Sequence, residues 1–221
     1  MQSCPVPPQF RRPFTDRLVA AIRLDATVYE EIEHDEEAMG QAFWVVVLAA
    51  LSQGIGALQA PSIPALLVAL FGLSLVGILG WVVGTAVIWV IGVKLMQCTS
   101  DFAELMRTIG FASAPKILMM FGVLPLGPGN WVLAAAVSVL SIAATVIAVR
   151  QALDISMRHS VVVCVIAMLV GLAFAVALGT ILGVGLGLVG IDAPELPLPS
   201  VAPNPEATDV PVALKSVLGA A

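Results

Sequence analysis

The chain has 221 residues, of which 59% are hydrophobic and 11% charged, and its mean hydropathy is +1.02. Water-soluble domains carry roughly 25% charged residues, so this chain is excluded from that class and takes lipid as its solvent. Its formal charge of −5 also argues against nucleic acid as a partner.

Residues 1–13 are Pro-rich and read as a disordered N-terminus. MQSCPVPPQFRRPFTDR has no leading apolar stretch, so a cleavable signal peptide is not expected. Residues 14–38 predict a cytosolic amphipathic helical segment. Thr15 is the expected N-cap and Asp16 lies in the first turn, with Leu18, Val19 and Ile22 on one face and Arg17 and Arg23 at headgroup level. Asp25 is placed to cap a second short helix carrying Val28, Tyr29 and Ile32. Glu30, Glu31, Glu33, Asp35, Glu36 and Glu37 follow as an acidic cluster. Its end meets the positive dipole end of the first membrane helix.

From Ala38 to Val93 there is no Asp, Glu, Lys or Arg. A crossing needs about 20 apolar residues, so this run alone holds two. The first spans about Gln41 to Leu58, and the uncharged turn QAPSIP occupies 59–64. Residues 65–93 would form roughly 43 Å of helix, longer than one perpendicular crossing. Span two is therefore either strongly tilted, or Ile63 to Phe71 lies partly along the interface. Gln97 to Gly110 reads as an amphipathic connector opened by Asp101 and Glu104, with Phe102, Leu105, Met106 and Ile109 on one face. TIGFASAPKILMMFGVL, 108–124, is a marginal third span containing Pro115 and Lys116. Trp131 to Val149 is a fourth, and Val161 to about Ile191 a fifth. The Pro-rich remainder, 192–221, has no run long enough to cross and reads as an external tail.

Charge placement decides whether the marginal segment crosses. With five spans and an internal N-terminus, Arg11, Arg12, Arg17, Arg23, Lys94, Arg107, Arg150 and Arg158 all fall inside, and only Lys215 falls outside. If 108–124 did not cross, Arg150 and Arg158 would move outside, against the positive-inside rule. The expectation is an all-α, five-span transmembrane bundle over residues 39–191, N-terminus inside and C-terminus outside. Unpaired sheet edges are not tolerated in lipid.

Lys116 is the most informative single residue. At mid-span a lysine costs about 2.5–3.5 kcal/mol and should face a polar cavity or a partner, with Ser113, Ser52 or Gln53 as neighbours. The alternative is that Pro115 breaks the helix and Lys116 snorkels to the inner surface. Gly80 and Gly84 in span two, and Gly179, Gly183 and Gly187 in span five, recur four apart. This spacing lets helix backbones approach closely, either across a homodimer or within one bundle. Metal and cofactor sites are not expected: the acidic run lacks the spacing of a calcium loop, and His34 and His159 have no spaced partner. Cys4, Cys98 and Cys164 form no C-x-x-C pair. Neither G-x-S-x-G, H-E-x-x-H nor a Walker A loop occurs, which points away from catalysis.

The middle third, DFAELMRTIGFASAPKI followed by PLGPGN, a Trp-led span and AVRQALDISMRHSVVVCVIAML, resembles the Yip family of Ypt/Rab-interacting membrane proteins. RLVAAIRLDATVYEEIEHD before the first span is similar to its prokaryotic branch. The resemblance covers roughly residues 14–190. It implies five spans, a cytosolic amphipathic N-terminus and an external C-terminus, in the plasma membrane of a prokaryote. It also implies a non-enzymatic, membrane-organising or scaffolding role, with the bilayer and a second copy or other membrane proteins as partners. The D-L-Y-G-P and G-Y motifs of the eukaryotic trafficking members are not present, so GTPase binding is not implied. The competing reading is a channel or small-solute carrier built around a cavity at Lys116, since discontinuous helices near the midplane mark transport sites.

Overall fold

The computed structural model describes residues 11–56, 63–125 and 127–188. The expectations for Cys4, for residues 1–10, for the turn at 59–62 and for the tail from Asp192 lie outside these residues. All regular elements among the described residues are helical. In order they are α1 (Phe14–Ile22), α2 (Ala26–Glu33), α3 (Ala38–Gly56), α4 (Ile63–Trp89) with a π-helical continuation (Val90–Leu95), α5 (Phe102–Ala112), a 3-10 helix (Ala114–Val123), α6 (Gly129–Ala152) and α7 (Met157–Leu188).

Among the described residues, four helices are long and apolar enough to cross a membrane, over Ala38–Ile55, Leu70–Leu95, Gly129–Ala152 and Met157–Ile181. Their outer faces expose large apolar side chains, including Trp44, Phe71, Trp131, Val132, Leu169 and Leu172, which only lipid can solvate. The protein is an integral membrane protein. α4 runs as one uninterrupted α-helix from Ile63 to Trp89, and Lys94 sits in its π-helical end, over the Trp89 ring at 5.6 Å.

The third expected span departs from an α-helix. α5 starts with a capping box, in which the Asp101 carboxylate accepts from the backbone and Glu104 accepts from the Asp101 N–H at 2.9 Å. It ends at Ala112. Pro115 has no N–H to give to Phe111, and its ring would clash with that carbonyl. The chain answers by tightening into the ten-residue 3-10 helix, seen in bonds such as Lys116 N–H to the Ser113 carbonyl at 3.0 Å. Such helices are seldom this long. This one lies against α3 and α6, with Ala114, Pro115 and Gly122 buried. It leads from residues packed with Ala42 of α3 and Ala144 and Ala148 of α6 toward the start of α6.

Small residues set the closest approaches. A Cβ on Gly110 would lie 2.8 Å from the Ala42 Cβ and 3.3 Å from the Ala42 Cα and carbonyl oxygen. On Gly77 it would be 3.3 Å from the Ala50 Cβ, and on Gly92 2.7 Å from a Leu153 methyl. At the end of the bundle holding Gly92 and Leu153, α1 and α2 form a cap. Val28, Tyr29 and Ile32 are fully buried there with Ala42, Phe111 and Ala148, and Phe14 meets Phe111 edge-on at 6.3 Å. The start of α7 is tied to α6 by the Ser160 hydroxyl, which donates to the Val146 carbonyl at 2.7 Å.

Gly110→Ala should destabilise the detergent-solubilised protein by about 1–3 kcal/mol, because the Ala42 backbone cannot yield. Gly80→Ala and Gly84→Ala meet nothing within 4 Å and should leave melting unchanged or slightly higher. Equal losses at all three positions in a thermal melt would contradict the packing described.

Candidate functional site

Two clusters of polar side chains stand apart from the apolar bundle. The first organises the cap. Arg17, expected to flank α1 at headgroup level, is instead 1% exposed. Its guanidinium donates to Glu31 through Nε at 3.0 Å and Nη2 at 2.8 Å, to Asp35 through Nη2 at 2.7 Å, and to the Gln41 side-chain oxygen through Nη1 at 3.0 Å. One side chain thus joins α1, α2, the α2–α3 turn and α3. The flat fork of arginine suits this multiple bonding, which a lysine would not reproduce. Arg11 reaches Asp35 at 3.2 Å and also bonds Glu37, while Arg12 reaches Asp25 at 3.1 Å.

The acidic run is therefore divided. Glu31 and Asp35 are neutralised inside the cap, whereas Glu30, Glu36 and Glu37 are exposed to solvent. Asp25 caps α2 as expected, accepting from the Thr27 N–H at 3.0 Å. Bonds from the Thr27 hydroxyl and from Arg12 hold its carboxyl below the usual value. At α1, Pro13 takes the N-cap position in place of Thr15, and no side chain caps that helix.

Glu33 behaves differently from its neighbours. It is half-buried, and burial raises its carboxyl to about 7, with the charges of Glu104, Asp154 and Glu30 adding and His34 opposing. The buried Arg107 donates to the Glu33 backbone carbonyl at 2.7 Å, linking α5 to the end of α2. Arg107 Nε has no partner among the described residues.

The second cluster lies between the 3-10 helix and α6. Lys116 and Gln53 line one cavity of about 320 Å³ together with Ser138, Ser141 and Thr145 of α6 and Met168 of α7. Along α6, Ser138 stands about 13 Å from the Gly129 end, and along α7 Met168 is about 16 Å in from Met157. No carboxylate among the described residues lies within ion-pair distance of Lys116. Ser52 and Ser113 are buried outside this cavity, donating to the Leu48 carbonyl at 2.7 Å and the Ile109 carbonyl at 3.5 Å.

At Gly80, Gly84 and Gly179 an added Cβ would meet nothing within 4 Å. Gly183 and Gly187 continue α7, and their surroundings lie outside what is described. Among the glycines whose surroundings are described, Gly77, Gly92 and Gly110 are the close-packed ones. No spacing rule separates them from the others, because only the facing residues Ala50, Leu153 and Ala42 distinguish them. Nor does the sequence alone bring Arg17, Glu31 and Asp35 together. Helical periodicity places Arg17 on one face but says nothing of what folds over it.

With this geometry established, comparison adds the family. A family model for the Yip1 domain matches residues 23–178. The chain belongs to the Yip1 domain family. The match begins just after α1 and closes within α7, so α2 and most of the bundle fall in the Yip1 domain while α1, with Arg17, precedes the matched range. No curated protein and no solved structure matches the chain.

Glu33 supplies a pH test. Its folded-state value lies above the ordinary 4.5, so its contribution to stability is present below about 4.5 and is lost as the pH rises through about 7. Glu33→Gln should raise the melting temperature at pH 8 and leave it nearly unchanged at pH 5. An equal shift at both values would show that the carboxyl is not held neutral by the fold.

Proposed function

We infer that this Yip1-domain protein is a non-catalytic scaffold that organises other components at the inner membrane surface, with the α1–α2 cap as its working face. The carrying observation is the burial of Arg17 across α1, α2 and α3. A peripheral helix meant only to rest on headgroups needs no such arginine. A rigid platform does, because bonding one guanidinium to three side chains, Glu31, Asp35 and Gln41, fixes the orientation of the whole cap. Glu30, Glu36 and Glu37 remain exposed on it, offering an acidic surface to basic segments of partner proteins.

The reading includes five crossings, with the cap inside, the C-terminus outside and the third segment crossing as α5 plus the 3-10 helix. A 3-10 helix rises about 2.0 Å per residue, so Ala114–Val123 covers about 20 Å, and the last turn of α5 adds about 5 Å. That falls about 5 Å short of a hydrocarbon core of about 30 Å, a difference that local thinning of the bilayer takes up. The placement of Arg107, Arg150 and Arg158 on one side supports the crossing. A second reading, a carrier for a small solute, draws support from the Lys116 cavity. The few ionisable groups in the spans favour the scaffold.

A photo-crosslinking residue at Glu30 or Glu36 should trap discrete partner proteins in intact cells. Arg17→Met should abolish those products while the chain remains inserted, since removing one member of a buried ion pair costs about 3–5 kcal/mol and loosens the cap. Unchanged products after Arg17→Met, or none from either position, would sink the scaffold reading.

A further inference from the structure

The Lys116 ammonium has three donors, no carboxylate partner and no hydrogen-bond acceptor within range among the described residues, although polar side chains line the same cavity. The reason lies in how those groups are committed. Ser138, Ser141 and Thr145 each donate to the carbonyl four residues earlier, at 2.7, 2.7 and 2.8 Å, and Gln53 makes the same kind of bond at 3.4 Å. The wall is therefore satisfied without the lysine. Hydroxyl protons rotate freely, so each can leave its carbonyl, which keeps its helical bond, and turn toward a ligand. One fixed positive charge and a row of adaptable donors describe a receptor for an anion.

The spacing narrows the anion. From Ser138 to Thr145 the hydroxyls extend over about 10 Å of α6, farther than the two oxygens of a carboxylate reach. A tetrahedral phosphate with an attached ester or polyol head uses more of them. A cavity of about 320 Å³ sits at the small end of ligand sites and suits a head of that size rather than a nucleotide. The mouth also carries information. Ile142 and Met168 line the cavity and are 42% and 47% exposed on the surface of the membrane-spanning helices. The cavity thus opens sideways onto lipid.

We propose that the cavity between the 3-10 helix and α6 binds a phosphate anion through Lys116 and the α6 hydroxyls, with Ile142 and Met168 receiving the apolar chain when the phosphate is lipid-borne. The assignment rests on the cavity alone and is independent of the scaffold reading. Binding without transport is compatible with a scaffold that carries a structural lipid.

The test uses the full chain in phosphatidylcholine nanodiscs, with phosphatidic acid doped into the bilayer in one arm and inorganic phosphate added to the buffer in the other. Native mass spectrometry reads retained copies, and the melting temperature reads stabilisation. The wild type should saturate at about one phosphatidic acid per chain and gain melting temperature. Lys116→Met should weaken this at least roughly tenfold, the factor of one charge-assisted hydrogen bond. Lys116→Arg, which restores the charge, should retain binding and separates loss of the site from loss of the fold. Lys94→Met, at the Trp89 end of α4, should have no effect. Lys116-dependent saturation by inorganic phosphate alone supports the anion site and assigns it to a free anion. Saturation in neither arm, or equal loss in Lys94→Met and Lys116→Met, overturns it.

Discussion

Backbone polar groups in an apolar interior cannot stay unpaired without penalty, and that constraint meets its hardest case at Pro115, which is buried. A proline inside a helical segment removes one donor and blocks one acceptor. The chain keeps its pairing by tightening to a 3-10 helix instead of breaking. That choice is possible only because α3 and α6 press on both sides through alanines and glycines: Ala42 against Gly110, and Ala144 and Ala148 beside Ala112 and Ala114. Larger residues at these contacts would push the segment away from its neighbours and leave its strained hydrogen bonds unsupported.

The cap follows from the same packing. α5 and α6 present Phe111, Ala112 and Ala148 at the end of the bundle, and Tyr29, Val28 and Ile32 cover them. Covering that surface forces Arg17 inside, where it would be ruinously desolvated if alone. Glu31, Asp35 and Gln41 surround it. Arg17 beneath the α2–α3 turn, with Arg11 on Asp35 and Glu37, makes the acidic run more than a solvated face. Glu33, two residues from both Glu31 and Asp35 and so on the opposite side of the helix, stands away from Arg17 and responds to burial by holding its proton to about 7.

Much of the architecture was legible in the residues. The uncharged run from Ala38 to Val93 marks two helices, Asp25 marks the cap of α2, Asp101 and Glu104 mark the start of α5, and the Trp131 segment marks α6. These signals are local, and local physics decides them. The 3-10 form of residues 114–123 was not legible. Pro115 marks an interruption, but whether a helix kinks, stops or tightens depends on what packs against it. Of the three neighbours the sequence offers Lys116, only Gln53 shares its cavity; which of them does so is decided by how α3 lies along the 3-10 helix, a fact of tertiary placement. Gly80 and Gly110 look alike as letters and differ only in whether Ala42 stands opposite.

The proposed topology turns on whether α5 and the 3-10 helix together take the chain across the bilayer. Asp101 precedes this segment and Pro128 follows it, and both are exposed. In a background with Cys4, Cys98 and Cys164 replaced, single cysteines at these two positions are to be labelled with an impermeant maleimide, in vesicles of each sidedness. A crossing requires opposite sides, with Pro128→Cys reacting from outside and Asp101→Cys only from inside. Labelling of both from the same side would contradict the crossing, and with it the five-span arrangement.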